Sequence, residues 1–299
     1  MAGAAAGGVV GGAVKRVGLS LGLPGAGILI FWQLGVLHGL RQRFDLSRIP
    51  LLGSSSGAVA ASLGASGACL EGAAARGVDL FKQEQHAIAR RPFGMVGVLG
   101  SLVNRWLHDT LPVDAAARCS AGRASLLVTT LPLLRTRAIS EFTCRTDLIR
   151  VVLASAHIPL LLDWRMFVNV KGSACIDGGL WWLLKRSLVE HQHAATAKTL
   201  IIKPCDDPGL AALNARRHSI LARPTEAGVA SEMWDRGLAY AERIAEAHEA
   251  DLAPYLLASY LPHPSGAGAG AGAGVGSGIG VVAGAGGGVV LSGLPLGVH

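Results

Sequence analysis

The sequence predicts an α/β sandwich with a largely buried sheet, and three observations carry that expectation. Short apolar runs recur along the chain, bounded by glycine, proline or polar residues, as buried strands are. Stretches of helical length separate most of them, so strand and helix alternate. The 299 residues are 51% hydrophobic and only 16% charged, enough to fill a large core.

Each element has its own signal. RVGLSLGL (16–23) is a short apolar strand that ends at Pro24. GILIFWQLGVLHGLRQRF (27–44) has helical length and an apolar face, with arginines gathered at its end. IPLLG (49–53) is a strand framed by proline and glycine, and the small residues of SGAVAASLGASG (56–67) open a helix. Amphipathic helical material then continues to about Leu111. SLLVTTL (125–131) is rich in β-branched and aliphatic residues, RTRAIS (135–140) follows as a further strand, and RTDLIRVVLASA (145–156) has helical spacing. SACID (173–177) and TLIIK (199–203) read as buried strands, and residues 226–252 as a helix.

Composition excludes several classes of function. The formal charge of +7 comes mostly from dispersed arginines, with no dense basic run and no interleaved aromatics, which argues against a nucleic-acid partner. Five scattered cysteines (Cys69, Cys119, Cys144, Cys175, Cys205) form no C-x-x-C pair, as expected of reduced thiols in an intracellular protein. The amino-terminal segment lacks the charged start of a secretory signal. Residues 1–16 read as a flexible segment. The glycine- and alanine-rich residues 263–299 read as a disordered low-complexity tail, with too few large apolar side chains to offset chain ordering.

Three short patterns could carry chemistry. In LLGSSSG (51–57), only Ser55 has glycine both two residues before it (Gly53) and two after it (Gly57). That is the frame of a G-x-S-x-G elbow, in which a serine sits on a sharp strand-to-helix turn and the glycines permit close backbone approach. The same letters also occur in linkers. Ser54 and Ser56 fall outside the frame, Ser56 being placed to lend its backbone N–H. The second pattern, Gly25-Ala26-Gly27, follows a strand and opens a helix. It fits a plain turn, an oxyanion hole of backbone N–H groups, or a dinucleotide fingerprint, with Asp45 twenty residues beyond Gly25. Against the last, Ile30 stands where the third glycine belongs. The third pattern is Asp177-Gly178-Gly179 at the end of SACID, an acid at a strand end that could take a proton from a hydroxyl.

Together, the glycine turn, G-x-S-x-G about thirty residues on and a distant D-G-G resemble the signature of patatin-like phospholipases. FWQLGVLHGL and ASAHIP (154–159) extend the resemblance, which runs from about Val17 to Lys203. It implies a three-layer α/β/α sandwich around a central, mostly parallel sheet, as a catalytic domain at 17–205; residues 206–262 read separately as a helical extension. It also implies hydrolysis of lipid acyl esters without metal or cofactor, Ser55 acting as nucleophile and Asp177 as its proton acceptor. The N–H groups around Gly25, Ala26 and Gly27 would line the oxyanion hole, and Gly53, Gly57, Gly178 and Gly179 would be the motif glycines. Two departures from the family pattern are Ile30, in place of a glycine, and LWWLL after D-G-G, in place of asparagine and proline.

The remaining candidates are weaker. A serine triad would need a histidine, and His191, His193, His218 and His248 all follow Asp177 without a recognisable context. His157 is expected to pack near the sheet. Trp181, Trp182, Trp164 and Phe167 are either core residues or an apolar lip that meets a membrane or lipid-droplet surface. The expected activity is thus a cytoplasmic or membrane-peripheral lipid acyl hydrolase. The alternatives are a catalytically weak module of the same fold that binds lipid or protein, and a nucleotide-binding oxidoreductase.

Overall fold

The computed structural model describes residues 18–179, 198–210 and 227–260. The expectations for the two termini and for Trp181, Trp182, His191, His193 and His218 lie outside the described residues.

The chain opens with strand β1 (Leu19–Leu23), a single 3-10 turn at Gly27–Leu29 and helix α1 (Ile30–Arg43). Strand β2 (Leu51–Ser54) then leads into α2 (Ser56–Ala65). Helices α3 (Leu70–Ala89), α4 (Leu99–Thr110) and the short α5 (Ala115–Cys119) follow. Next come β3 (Ala124–Thr130), β4 (Arg135–Ile139) and α6 (Arg145–Ser155). A hairpin of β5 (Val168–Val170) and β6 (Ser173–Asp177) precedes β7 (Lys198–Ile201), and the C-terminal part holds α7 (Ala227–Ala247) and α8 (Glu249–Leu252).

These strands form one sheet in the order β5-β6-β3-β2-β1-β7, with β4 also on β3. The block β3-β2-β1-β7 is parallel, and helices connect β1 to β2 and β2 to β3, as parallel neighbours require. The pairs β3/β4, β3/β6 and β5/β6 are antiparallel, so the complete sheet is mixed. Strand β1 is buried along its whole length, which explains its unbroken apolar sequence. Helices flank the sheet: α2 packs on β2 and β3, and α6 packs on β3 and β6.

Helix α1 is apolar nearly all round, with Phe31, Trp32, Leu34, Val36 and Leu37 all buried, because α7 lies against it. The two helices meet at small residues, Gly35 and Gly39 on α1 and Gly237 and Ala241 on α7. A Cβ on Gly237 would run into the Trp32 carbonyl oxygen, so the backbones are in direct contact there. Further ties hold the C-terminal residues to the first β-α unit. The Leu19 N–H donates to the Tyr255 hydroxyl at 3.0 Å, and the Trp32 indole N–H donates to buried Asp207 at 2.9 Å. Asp207 also pairs with Arg243 of α7.

Candidate active site

Ser55 links β2 to α2 with φ +54° and ψ −129°, a conformation that costs an L-residue about 1–3 kcal/mol. The flanking glycines are required by contact. A Cβ on Gly53 would strike the Gly57 carbonyl oxygen, and one on Gly57 would strike the Leu23 carbonyl oxygen at the end of β1. The turn is therefore a strained strand-to-helix elbow wedged against the neighbouring strand, and the linker reading of this segment does not hold. The three serines part company here. The Ser54 side chain is fully buried, the Ser56 hydroxyl accepts the Ala26 N–H at 2.8 Å, and Ser55 is partly exposed.

Strand register brings Asp177 to the same place. Strand β4 occupies one edge of β3 from Leu126 to Thr130, so β2 and β6 must share the other edge. Along it, β2 ends with Ser54 opposite Leu127, and β6 ends with Asp177 opposite Val128. Two strands running in opposite directions thus meet end to end, and Ser55 and Asp177 lie at their junction. The point a Cβ on Gly179 would occupy is 3.1 Å from Asp177 Oδ1 and 3.7 Å from Ser55 Cβ. Asp177 is only 2% exposed, and the Gly179 N–H donates to its Oδ1 at 2.6 Å. Gly178 has no room for a side chain, since a Cβ there would meet the Leu127 carbonyl oxygen.

The end of α6 holds this junction. The Ser55 N–H donates to both the hydroxyl (3.1 Å) and the carbonyl (3.2 Å) of Ser155. The same carbonyl accepts the Gly178 N–H at 2.9 Å, and the buried Ser155 hydroxyl donates to the Leu127 carbonyl at 2.6 Å. The next turn adds a bond from the Asp177 N–H to the His157 carbonyl at 2.8 Å. ASAHIP is thus a clamp on both loops. The sequence marked the segment only as a pattern, since a serine at a helix end has many ordinary roles.

The Gly25–Gly27 turn faces Ser55: a Cβ on Gly25 would lie 3.0 Å from Ser55 Cβ and 3.6 Å from its Oγ. Gly27 has φ +58°, which suits glycine. Beyond the turn opens a cavity of about 110 Å³ with Ser55 in its wall, lined by apolar side chains that include Ile30, Val59, Phe81, Leu99, Trp106 and Leu161. Ile30, a departure at the level of motif, is 6% exposed and supplies part of that wall. The buried thiols do not compete as nucleophiles. Burial pushes Cys119 up to about 12 and also raises Cys175, two residues from Asp177, although Arg137 opposes the second shift.

A family model for patatin-like phospholipases matches residues 21–181, from β1 to just beyond Asp177. The chain belongs to the patatin-like phospholipase family. Among solved structures, VipD from Legionella pneumophila is similar at a TM-score of 0.41 and 12% identity, over 79% of this chain and 68% of that one. A search of curated proteins gives no match. Patatin-like proteins are lipid acyl hydrolases, which accounts for an apolar cavity beside a serine elbow in this member.

Other sequence candidates fall elsewhere. Asp45 accepts from the Ser47 N–H and hydroxyl in a local turn after α1, at the opposite end of the parallel strands from Gly25–Gly27, so it cannot serve a nucleotide there. His248 lies 3.6 Å from Asp251, which pairs with Lys198 beside Leu19, at that same far end. It is no triad partner for Ser55. His157 is fully buried, with Nε2 3.1 Å from the Arg165 carbonyl and Nδ1 3.6 Å from Asp163. Among the described residues, no helix is long and apolar enough to cross a membrane.

Proposed function

We propose that this patatin-like protein hydrolyses carboxylic esters of lipids through Ser55 and Asp177. The observation that carries the proposal is the end-to-end meeting of β2 and β6 on one edge of β3, with Ser55 strained at the elbow and Asp177 buried beside it. In this reading the Asp177 carboxylate takes the hydroxyl proton as Ser55 Oγ attacks the ester carbonyl. The oxyanion forms against backbone N–H groups of the Gly25–Gly27 turn. Because the Ser56 hydroxyl already accepts the Ala26 N–H, Gly25 and Gly27 are the first donors, and Ala26 joins when that hydroxyl rotates away. Collapse of the tetrahedral intermediate expels the alcohol, which takes the proton back from Asp177. Water, deprotonated by Asp177, then attacks the acyl carbonyl; the Ser55 Oγ–acyl bond breaks, Oγ takes the proton from Asp177, and the fatty acid is released. The acyl chain lies in the apolar cavity, and the substrate is presented by a membrane or lipid-droplet surface.

The engaged Ala26 N–H also favours a second reading, a catalytically weak member that binds lipid without turning it over. A fluorophosphonate probe separates the two. Labelling of the wild-type protein that is lost in Ser55→Ala supports the hydrolase. A folded wild-type protein that takes no label, yet binds fatty acid, supports the weak module.

A further inference from the structure

Nine large apolar side chains are exposed among the described residues, and six of them, Phe93 and five between Ile158 and Phe167, belong to two neighbouring segments. These segments are joined by bonds from the Gly97 N–H to the Leu161 carbonyl (2.7 Å) and from the Gly100 N–H to the Leu162 carbonyl (2.9 Å). Both have an inner and an outer side. Met95, Ile158, Leu161 and Leu162 line the cavity that holds Ser55, whereas Phe93, Leu160, Trp164, Met166 and Phe167 face solvent. Phe93 is 65% exposed and meets the Trp164 ring edge-on at 5.9 Å, and that indole lies directly over Gly97. Leu160 and Trp164 are both held outward at positive φ (+66° and +62°), a cost that core packing does not recover. Within these two segments the charge is net positive. Arg90, Arg91 and Arg165 are exposed, and the only acid in residues 90–99 and 156–169 is Asp163, which lies 3.9 Å from Arg165 and leaves Arg90 and Arg91 as the cations without an acid in either segment.

We propose that this rim is a docking surface for an anionic phospholipid bilayer, seated so that the mouth of the Ser55 cavity opens into the lipid. The proposal rests on the lipid-ester reading of that cavity and names the surface from which its substrate is drawn. Half-exposed aromatic and aliphatic side chains enter the boundary between headgroups and acyl chains. Arginines beside them stay at headgroup level, where each attracts anionic lipid within a Debye length. A surface built only for a soluble ester would have no use for a contiguous apolar rim of this kind.

The test is flotation of the full-length protein with vesicles of phosphatidylcholine mixed with phosphatidylserine, and with vesicles of phosphatidylcholine alone. It uses a Ser55→Ala background, so that binding is read without turnover. Stronger partitioning onto the mixed vesicles, weakened by salt, is expected. Phe93→Ser combined with Met166→Ser should lower the partition coefficient at least about tenfold. Arg90→Gln combined with Arg91→Gln should lower it roughly twentyfold on the anionic vesicles alone. In an otherwise wild-type background, both pairs should leave turnover of a monomeric short-chain ester within about twofold. Failure to float with either vesicle, equal flotation of the rim variants, or indifference to phosphatidylserine overturns the proposal. So does a change in sedimentation of the protein alone, which would assign the rim to self-association. If the vesicles bind as expected but wild-type protein hydrolyses no ester, the docking surface stands and the hydrolase reading falls.

Discussion

Replacing Ser155 by alanine tests whether the clamp at the end of α6 serves the chemistry or only the fold. The hydroxyl is fully buried, donates to the Leu127 carbonyl at 2.6 Å, and shares the Ser55 N–H with its own carbonyl. Alanine removes the first bond outright and leaves a buried acceptor, worth about 1–3 kcal/mol. The Ser55 N–H keeps its second acceptor at 3.2 Å, so the elbow survives and the total stays near 2 kcal/mol. For a protein of this size that lowers Tm by roughly 4–8 °C. Activity should fall further than stability suggests. The strained Ser55 is held against Asp177 partly by that N–H anchor, and small misplacements of reacting groups cost about 10–100-fold in rate. The assay is turnover of a monomeric short-chain ester beside thermal unfolding, with kcat and KM separated. A loss in kcat at nearly constant KM is expected. A Tm drop of the stated size with kcat unchanged would refute the positioning role, and no change in either would refute the bonding argument itself.

Three further outcomes follow from particular contacts. Asp147, near the start of α6, accepts from Lys171 in the β5–β6 turn and from Thr143; burial alone would raise its carboxyl, but these bonds outweigh it and hold it below the usual range. A depressed carboxyl stabilises above its ordinary pKa of about 4 and loses that contribution as pH falls through the folded value. Asp147→Asn should therefore lower stability by about 1 kcal/mol at pH 7 and by progressively less below pH ~4, as followed by urea unfolding across pH. Gly237→Ala forces a methyl into the Trp32 carbonyl, so α7 must lift from α1, at about 1–3 kcal/mol or more in thermal unfolding. Ile30→Ala should cost about 2–4 kcal/mol and enlarge the cavity, shifting the ratio of kcat/KM toward longer acyl chains in a series of ester lengths.

The elements were readable wherever burial was continuous. The apolar runs at 16–23, 49–53 and 125–131 became β1, β2 and β3, and the glycine frame singled out Ser55 within its triplet. Strand β5 was missed because it has three residues, Val-Asn-Val, and reads as loop. Its signal was the two-residue turn Lys171-Gly172, both at positive φ as a tight hairpin requires. Five-residue α5 was too short to show a helical period. The direction of β6 was not legible either. Apolar pattern reports burial and is silent on which neighbour a strand takes, so the meeting of β2 and β6 emerged only from register. The hydroxyl of Ser56, which the glycine frame did not single out, secures the glycine turn at Ala26. Ile30 looked like a defect in a motif until the cavity gave it a wall to form.

The abutting strands also bear on biosynthesis. The close backbone contacts of the elbow, from Leu23 to Ala58, are in the first fifth of the chain, whereas its anchor at Ser155 and its carboxylate partner Asp177 are translated about a hundred residues later or more. Domains generally fold as units, so for much of that interval the ribosome holds a serine with neither its anchor nor a base. In the proposed dyad, the growing polypeptide is chemically silent until the β5–β6 hairpin slots onto β3, and the cell is spared an esterase that acts before it is complete.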